Sequence, residues 1–431
     1  MIAQPGSSPL RAFLAARYGR GFATRNEIIA WQAAGLRKLR QKIMPRSPFY
    51  AAFATAPMAD WPVMNKALLM QHFTGINTRG IHLDTAMEVA LRSEESRDFA
   101  PMIGDVAVGL STGTSGQRGL FLTNKRERAL WAAVMCGRFW PSPLLSQQRI
   151  AFFLRANNAL YESLSNPLMQ FHFYDLLNPF EGNLAALDAQ KPTVLIAPAQ
   201  ILGQIAKAQE AGQLRIAPRR IISVAEVLSP EDSAIIETVF GQRPEQVYQC
   251  TEGVLAYTCR HGSLHLNERY IHFDRDEIEG GNGAFCPVIT DFTRQTLPIL
   301  RYRLDDVLIP DPTPCPCGCA SQRLLRIEGR ADDMLWWPGA DGRPRLVPAD
   351  AIRQAVATLP VPVRDYRVIE EAGQLTVWLD TTIPEIAGPA MQQALHKVAA
   401  GLGCQPPAIT VKRGLPPDEG AKRRRVLVKR G

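Results

Sequence analysis

Between residues 150 and 248, short apolar runs alternate with amphipathic stretches, and this alternation constrains the fold more than any other feature of the chain. The apolar runs at 150–154, 193–197, 220–224 and 246–248 predict buried strands, and the stretches 199–208 and 230–240 predict helices between them. Ser229 is suited to cap the second helix and Pro230 to begin it. Strand–helix alternation predicts α/β layers around a largely parallel sheet, where ligands bind beyond the carboxyl ends of the strands.

The two ends of the chain have different patterns. Residues 8–45 predict two helices, and Asn65 precedes a third, short one. Near the C-terminus, helical spacing at 352–359 and 390–402 and strand patterns at 375–379 and 408–412 predict a small α+β unit. We therefore expect a large N-terminal domain of layered sheets and helices over residues 1–330, and a small C-terminal lid domain over 331–431.

Composition and charge narrow the class of protein. The chain has 431 residues, of which 46% are hydrophobic and 21% charged, as is usual for soluble globular proteins. It has no run of eighteen apolar residues, and its start lacks a signal-peptide pattern, so we expect a cytoplasmic protein without a membrane partner. The net charge is +8, and six basic residues lie in the last twelve. Such a tail fits either a nucleic-acid contact or a solvated basic arm.

The sequence LSTGTSGQRG at 110–119 lies between two apolar runs. Glycines let a backbone turn tightly and approach a ligand, and hydroxyl and N–H groups around such a turn suit a polyphosphate. The loop does not end in Gly-Lys-Ser/Thr, so it is not a Walker loop. A solvated Ser/Gly loop is the alternative. The residues that would face a phosphate are Ser111, Thr112, Gly113, Thr114, Ser115 and Gly116.

Three further stretches follow this loop in order: YQCTEG at 248, RYRLDDV at 301 and GRADD at 329. Their order and spacing resemble the adenylate-forming superfamily of acyl-CoA synthetases and peptide-synthetase adenylation domains. Within it, SPFY at 47–50, RIAFFLRAN, SVAEVL and TDFTRQTLPILRYRLDDV are similar to the phenylacetate–CoA ligase and coenzyme F390 synthetase branch, and to a clade of hypothetical adenylate-forming enzymes. The resemblance covers nearly the whole chain and implies the adenylate-forming enzyme fold, with a small mobile C-terminal domain.

The resemblance also implies a role for each matching residue. The loop residues named above would close over the β- and γ-phosphates of ATP. Tyr248 would lie against adenine, Thr251 would contact the α-phosphate, and Glu252 would bind Mg²⁺. Asp306 would accept hydrogen bonds from both ribose hydroxyls, and Arg330 would make a second contact to ribose or phosphate.

Two residues near or within the small domain complete the set that the resemblance implies. Asp332 matches the hinge about which that domain rotates, and Lys422, in AKRRRV, matches the lysine that bridges the substrate carboxylate and the α-phosphate. Positive charge from Mg²⁺ and a lysine offsets the repulsion between a carboxylate and a phosphate as charge develops in the transition state. Thr251, Glu252 and Lys422 are therefore the expected catalytic residues.

The chain departs from the family pattern at several places. Gln249 replaces the glycine after the motif tyrosine, and Asp305 replaces the glycine before the ribose aspartate. Ala421 stands where a glycine usually precedes the lysine. Asp305 puts a second carboxylate beside the expected nucleotide, and its repulsion of phosphate acts against ATP affinity.

A tight group of cysteines lies downstream of a cysteine and a histidine that follow the expected Mg²⁺ motif. Three thiolates and one imidazole are the ligands of a closed tetrahedral zinc site, which would be structural. The four expected ligands are Cys259, His265, Cys315 and Cys317. His261 and Cys319 are reserve ligands. Free or buried thiols with an exposed histidine are the alternative.

Together these residues favour ATP-dependent activation of a carboxylic acid through an acyl-adenylate, followed by acyl transfer to coenzyme A or a carrier protein. An aryl acid is the expected substrate, from the likeness to the phenylacetate branch alone. The expected cofactors are ATP, Mg²⁺, structural Zn²⁺ and coenzyme A. An AMP transferase or amide ligase of the F390-synthetase type is the first alternative. A non-catalytic nucleotide or nucleic-acid binder is the second.

Overall fold

The computed structural model describes residues 8–96, 101–110, 119–143, 146–154, 168–279, 281, 283–331, 334–416 and 425–429. Their helices are α1 (Pro9–Tyr18), α2 (Arg25–Lys38), α3 (Lys66–Gln71), α4 (Phe73–Ile76), α5 (Leu83–Ser96), α6 (Lys125–Phe139), α7 (Phe180–Gln190), α8 (Ala199–Glu210), α9 (Pro230–Phe240), α10 (Ala349–Ala357) and α11 (Pro384–Gly401). Their strands are β1 (Met102–Ile103), β2 (Val106–Leu110), β3 (Leu120–Asn124), β4 (Gln148–Leu154), β5 (Met169–Asp175), β6 (Val194–Ala197), β7 (Arg220–Val224), β8 (Glu245–Cys250), β9 (Gly253–Thr258), β10 (Leu264–Leu266), β11 (Ile271–Glu277), β12 (Phe285–Asp291), β13 (Tyr302–Arg303), β14 (Asp306–Asp311), β15 (Arg323–Arg330), β16 (Leu335–Pro338), β17 (Pro344–Val347), β18 (Val363–Glu371), β19 (Gln374–Thr381), β20 (Ala408–Arg413) and β21 (Val426–Lys429). None of these helices is long and apolar enough to cross a bilayer.

A twelve-stranded sheet forms the centre of the N-terminal part of the described chain, in the order β11-β12-β14-β15-β10-β9-β8-β7-β6-β4-β5, with β13 paired to β12. Strands β4 to β8 pair in parallel. The pairings from β8 to β11 are antiparallel. The prediction of a largely parallel sheet is therefore correct for β4–β8 only. The other strands are joined mostly by turns and loops without crossover helices, and such connections favour antiparallel pairing.

Side chains in the parallel part of the sheet alternate between two covered faces. Ala151 and Phe153 of β4 pack against α7, α8 and α9, whereas Ile150 faces the side covered by α6. Burial of both faces explains why these strands are continuous apolar runs in the sequence. The strands and helices predicted between 150 and 248 are confirmed. Helix α9 begins at Pro230, where Ser229 Oγ accepts a 3.0 Å hydrogen bond from the Asp232 backbone N–H.

The N-terminal helices and the small sheet β1-β2-β3 pack against the antiparallel part of the large sheet. Trp61 and Phe73 from the helical segment share one hydrophobic core with Ile289 of β12. Helix α1 packs against α6 at Gly137, where a Cβ atom would lie 2.6 Å from the Phe13 carbonyl oxygen. Only glycine allows such a close approach of two helices.

The C-terminal part of the chain has a hydrophobic core of its own. The sheet β20-β19-β18-β21, the hairpin β16–β17 and helices α10 and α11 surround buried residues between Leu335 and Val426. Leu346 also packs against Ala284 and Val307 of the large N-terminal part. This unit is the small α+β unit that the sequence predicted. The division of the chain between residues 330 and 331 remains a prediction.

The basic tail contains a strand that the sequence patterns did not predict. β21 pairs in parallel with β18, with Val426 opposite Val368. Just before it, Arg425 Nε lies 3.2 Å from Asp365 Oδ1. The described part of the tail therefore belongs to the sheet and does not form a fully solvated basic arm.

Candidate functional site

A cavity of about 630 Å³ opens at the carboxyl ends of the parallel strands and extends past the turn between β8 and β9. The predicted site residues that line it are Tyr248, Thr251, Glu252, Asp306 and Arg330. They come from three separate sequence motifs. The strand pattern predicted a ligand site at this end of the sheet, and the motifs meet there.

Asp306, Tyr248 and Arg330 form one group on the cavity wall. Tyr248 Oη donates a 2.5 Å hydrogen bond to Asp306 Oδ2, and Arg330 Nε lies 3.8 Å from Oδ1. Burial raises the pKa of Tyr248 well above its usual value, and the neighbouring charge of Asp306 raises it further. Burial also raises the pKa of Asp306, although the hydrogen bond from Tyr248 and the charge of Arg330 oppose it. Tyr248 therefore stays protonated as a donor, and Asp306 keeps lone pairs for a bound ligand.

The turn between β8 and β9 carries Thr251 and Glu252. Burial, the charge of Glu252 and a hydrogen bond to it raise the pKa of the Tyr302 phenol. Burial and Glu252 likewise raise the pKa of the Cys250 thiol well above its usual value. Both groups stay protonated: the Tyr302 hydroxyl is the hydrogen-bond donor to the Glu252 carboxylate, and the Cys250 thiol donates a 3.7 Å hydrogen bond to the Gly253 carbonyl oxygen at the same turn. An oxygen ligand fixed in this way suits Mg²⁺, which prefers carboxylates and water.

Two of the departures from the family pattern have structural partners. Asp305 Oδ1 lies 3.0 Å from Arg303 Nη1, and Arg303 Nε donates a 2.6 Å hydrogen bond to Asp276. Because Arg303 counters the charge of Asp305, the repulsion of ATP expected from the sequence is reduced. Gln249 Oε1 accepts a 3.2 Å hydrogen bond from Trp131 Nε1, which links β8 to helix α6 at the cavity.

The end of the cavity between α6 and strands β4–β6 is apolar. Its described lining includes Leu130, Val134, Phe139, Ile150, Phe152, Phe171 and Ile196. The ring centroids of Phe152 and Phe171 are 5.3 Å apart. The carboxylate of Glu127, at the start of α6, accepts hydrogen bonds of 2.6 Å from Asn124 N and 3.0 Å from Thr296 N. A ligand at this end would therefore meet mainly apolar surface.

Four predicted metal ligands converge beside strands β9, β10 and β15. They are Cys259, His265, Cys315 and Cys317, and their ligand atoms all lie within 4.8 Å of one another. Cys259 Sγ is 3.7 Å from Cys315 Sγ, and Cys317 Sγ is 3.6 Å from His265 Nε2. The fold thus brings the sequence-predicted set together across more than fifty residues of chain.

Two of the distances between these atoms, 3.7 Å between Cys259 and Cys315 and 3.6 Å between Cys317 and His265, match those around a tetrahedral zinc ion. Zn–S bonds of about 2.3 Å and a Zn–N bond of about 2.0 Å place sulfurs about 3.8 Å apart and sulfur and nitrogen about 3.5 Å apart. His265 Nδ1 is 2.9 Å from the Ser321 carbonyl oxygen, which assigns the ring proton to Nδ1 and leaves the Nε2 lone pair for a metal. The reserve ligands His261 and Cys319 are not part of this group.

Other predicted residues lie outside the described part of the chain, and their roles remain predictions. They are Ser111, Thr112, Gly113, Thr114, Ser115, Gly116, Asp332, Ala421 and Lys422. Conversely, the motif analysis gave no role to Tyr302 or Arg303, which border the Glu252 and Asp305 carboxylates. The available signal was the position of Arg303 two residues before Asp305, because alternate residues of a strand share one face.

No model of a known protein family matches this sequence, and no curated protein matches it either. Solved structures do share its fold. An open conformation of 2-hydroxyisobutyryl-CoA ligase, in complex with 2-HIB-AMP and CoA, matches with a TM-score of 0.66 at 13% identity, over 96% of this chain and 95% of that one.

Two further solved structures match over shorter spans. ATP-bound MatB from Rhodopseudomonas palustris gives a TM-score of 0.52 at 13% identity, over 74% of this chain and 65% of that one. The anthranilate–CoA ligase AuaEII in complex with anthranoyl-AMP gives 0.50 at 13% identity, over 72% and 64%. The phenylacetate–CoA ligase branch is not among these findings and stays a prediction. The chain has the fold of the adenylate-forming acyl-CoA ligases, as the order of its sequence motifs predicted.

Proposed function

We propose that this protein activates a carboxylic acid with ATP, through an acyl-adenylate, and transfers the acyl group to the thiol of coenzyme A or of a carrier protein. One observation carries the proposal. A single cavity joins the Asp306–Tyr248–Arg330 group, the Glu252 carboxylate and an apolar end. A nucleotide and a hydrophobic acid bound at the two ends would meet beside Thr251.

The group around Asp306 supports a nucleotide site. An ionised carboxylate has about four lone-pair sites, so Asp306 can accept hydrogen bonds from both hydroxyls of a ribose in addition to the one from Tyr248. The hydrogen bond from Tyr248 Oη fixes the Asp306 carboxylate before ligand arrives. Arg330 adds a positive charge on the same side, where it can contact ribose or phosphate.

The turn at Thr251 and Glu252 supports a phosphate and metal site. Glu252 would hold Mg²⁺, which supplies positive charge to the phosphates when it is bound. Thr251 would contact the α-phosphate, where the acid oxygen attacks. Lys422, Asp332 and the loop residues from Ser111 to Gly116 complete this proposal from the sequence motifs alone.

The apolar end supports an acid with an uncharged, hydrophobic body, and an aryl acid is our proposal. Phe152 and Phe171 offer ring faces and edges to an aromatic substrate. A second carboxylate or an ammonium group placed among Leu130, Val134, Phe152 and Phe171 would lose its hydration against apolar surface, which costs several kcal/mol. Aryl acids should therefore be better substrates than dicarboxylates or amino acids of similar size.

Acid-dependent exchange of labelled pyrophosphate into ATP tests this proposal. The panel should contain benzoate, phenylacetate and hexanoate, with succinate and phenylalanine as charged controls. We expect exchange with the aryl acids and little with the charged controls. Exchange with no acid in a broad panel would contradict acid activation. AMP left on a hydroxyl product would instead favour the AMP-transferase alternative.

The cluster of Cys259, His265, Cys315 and Cys317 supports structural Zn²⁺. A metal there would join the turn after β9 to the loop before β15, since Cys259 lies in the first and Cys315 and Cys317 in the second. The four protein ligands would close the coordination shell and leave no position for substrate. The zinc is therefore proposed to stabilise the fold and to take no part in the reaction.

A further inference from the structure

Lys66 and Arg294 come from distant parts of the chain and meet at the turn that carries Thr251 and Glu252. Both line the main cavity. Both also line a small adjoining cavity, together with Thr251, Glu252 and Gly119. Neither residue had a predicted role, although Arg294 lies within the stretch TDFTRQTLPILRYRLDDV. Two positive side chains at the expected metal carboxylate indicate a site for an anion.

Arg294 is buried, with 9% of its surface exposed. Its Nη2 donates a 2.6 Å hydrogen bond to the Thr251 carbonyl oxygen, and no residue in the described part of the chain accepts a hydrogen bond from its Nε. A buried guanidinium with an unused donor is costly unless a ligand satisfies it. Arg294 thus contacts the Thr251 turn through Nη2, and its Nε–H is a further donor for a ligand.

The backbone fixes the position of Lys66 beside the same turn. Met64 N donates a 2.9 Å hydrogen bond to the Arg301 carbonyl oxygen, and Arg303 N donates one of 2.8 Å to the Met64 carbonyl oxygen. Lys66 follows two residues later as the first residue of α3, and Asn65 Oδ1 caps this helix by accepting a 2.9 Å hydrogen bond from a backbone N–H. The lysine is therefore tied to the strand that carries Tyr302.

The cavity has two further described cations, Arg303 and Arg330. Arg303 pairs with Asp276 and Asp305, and Arg330 lies beside Asp306. These two arginines therefore lie at the end of the cavity around Asp305 and Asp306, where the ribose is proposed to bind. Lys66 and Arg294 are the described cations at the opposite side, next to Glu252.

We propose that Lys66 and Arg294 bind the β- and γ-phosphates of ATP and the diphosphate that leaves. This inference rests on the proposed function. In the adenylation step the acid oxygen bonds to the α-phosphorus, and the bond from that phosphorus to the bridging oxygen breaks. The diphosphate leaves with the electron pair, and no proton moves. The ammonium of Lys66 and the guanidinium of Arg294 stabilise the charge that accumulates on it.

Equilibrium binding of ATP, AMP and inorganic diphosphate to the full-length protein tests the assignment. Lys66→Ala should lower the affinity for ATP and for diphosphate by about tenfold, the effect of losing one charged hydrogen bond. Its affinity for AMP should stay within about twofold, because AMP lacks the two outer phosphates. Lys66→Arg should recover most of the loss, since it keeps the charge. Lys207→Ala, on the exposed surface of α8, is the matched control and should change nothing.

A substitution of Arg294 tests the contribution of the buried guanidinium to diphosphate binding. Arg294→Lys keeps the charge but loses the fork that reaches the Thr251 carbonyl, so it should raise the KM for diphosphate in the reverse reaction more than the Kd for AMP. Thermal unfolding of each variant shows whether the fold is kept.

The outcomes separate this site from the proposed function. Unchanged ATP affinity in Lys66→Ala, or equal losses for ATP and AMP, would overturn the phosphate assignment while the function stands. Wild-type protein that binds neither nucleotide would overturn the proposed function and this assignment with it. Wild-type protein that binds ATP in a Lys66-dependent way but shows no acid-dependent exchange would keep the phosphate site and remove only acid activation.

Discussion

Replacing Asp306 by alanine tests the nucleotide site most directly. The Asp306 carboxylate accepts a 2.5 Å hydrogen bond from Tyr248 and lies 3.8 Å from Arg330, so it is held in place before ATP binds. Little of the binding free energy is then lost to ordering the side chain. A ribose that donates both hydroxyls to this group would lose two hydrogen bonds to a charged acceptor in Asp306→Ala.

The size of the effect follows from these two hydrogen bonds. Hydrogen bonds to charged groups contribute about 1.5–3 kcal/mol each, and partial replacement by water brings the expected total to roughly 2–4 kcal/mol. The affinity for ATP should therefore fall by roughly 30- to 700-fold. Removal of the acceptor also leaves the Tyr248 hydroxyl without its partner, which should lower the free energy of unfolding by about 1–3 kcal/mol.

Calorimetric titration with ATP and with AMP measures this change, and thermal unfolding verifies the fold. Asp305→Ala is the matched control, because it removes the same charge from the neighbouring residue. Its partner Arg303 keeps the hydrogen bond to Asp276, so ATP affinity should change little. Equal losses in the two variants would mean that general charge, and not ribose binding, explains the effect. Unchanged ATP affinity in Asp306→Ala would remove the ribose assignment.

Three more predictions concern the metal, the tail and pH. The purified protein should carry about one equivalent of zinc. Cys315→Ser should lose the zinc and part of the thermal stability, whereas Cys319→Ser should keep both. Metal analysis that finds no zinc, together with freely reactive thiols, would exclude the site. Lys422→Ala should slow adenylation by about 10²–10³-fold and spare acyl transfer from a supplied acyl-adenylate. Arg423→Ala should leave both rates nearly unchanged. Equal small losses of rate in the two variants would mean that the tail acts only through its charge. Burial raises the pKa of Asp291 to about 6, so its contribution to stability is complete below its usual pKa and is lost as the pH rises through the raised value. The free energy of unfolding should therefore fall by up to about 3 kcal/mol from about pH 4 to above pH 6, and a chemical-denaturation series that shows the same slope in Asp291→Asn would contradict this assignment.

The elements predicted most accurately are those whose burial pattern is local. Strand β7 and helix α9 have the predicted limits, because a run buried on both faces and a Ser-Pro helix start are recorded in consecutive residues. Strand β21 was missed because it is short and the basic residues around Val426 hide its apolar pattern. Its partner β18 lies more than fifty residues earlier, and pairing at that distance leaves no mark in a local window.

The sequence likewise predicted some features of the candidate site and not others. The resemblance of the ordered motifs to the adenylate-forming superfamily selected Tyr248 and Asp306, and ligand type selected the four Cys and His residues as candidate metal ligands. The sequence could not show that Arg303 counters the charge of Asp305, since side-chain orientation at the end of a strand depends on what packs beside it. Nor could it show which end of the cavity is apolar.

By itself, the sequence determined the α/β class of residues 150–248, the order of the four motifs and the choice of four candidate metal ligands, because each depends on residue type and short-range spacing. Only the tertiary structure decided that β9–β15 form an antiparallel extension of the sheet, and that Lys66 and Arg294 meet beside Glu252. Strand pairing and the meeting of distant side chains depend on which surfaces exclude water together. That is a property of the whole folded chain, and no local pattern in the sequence records it.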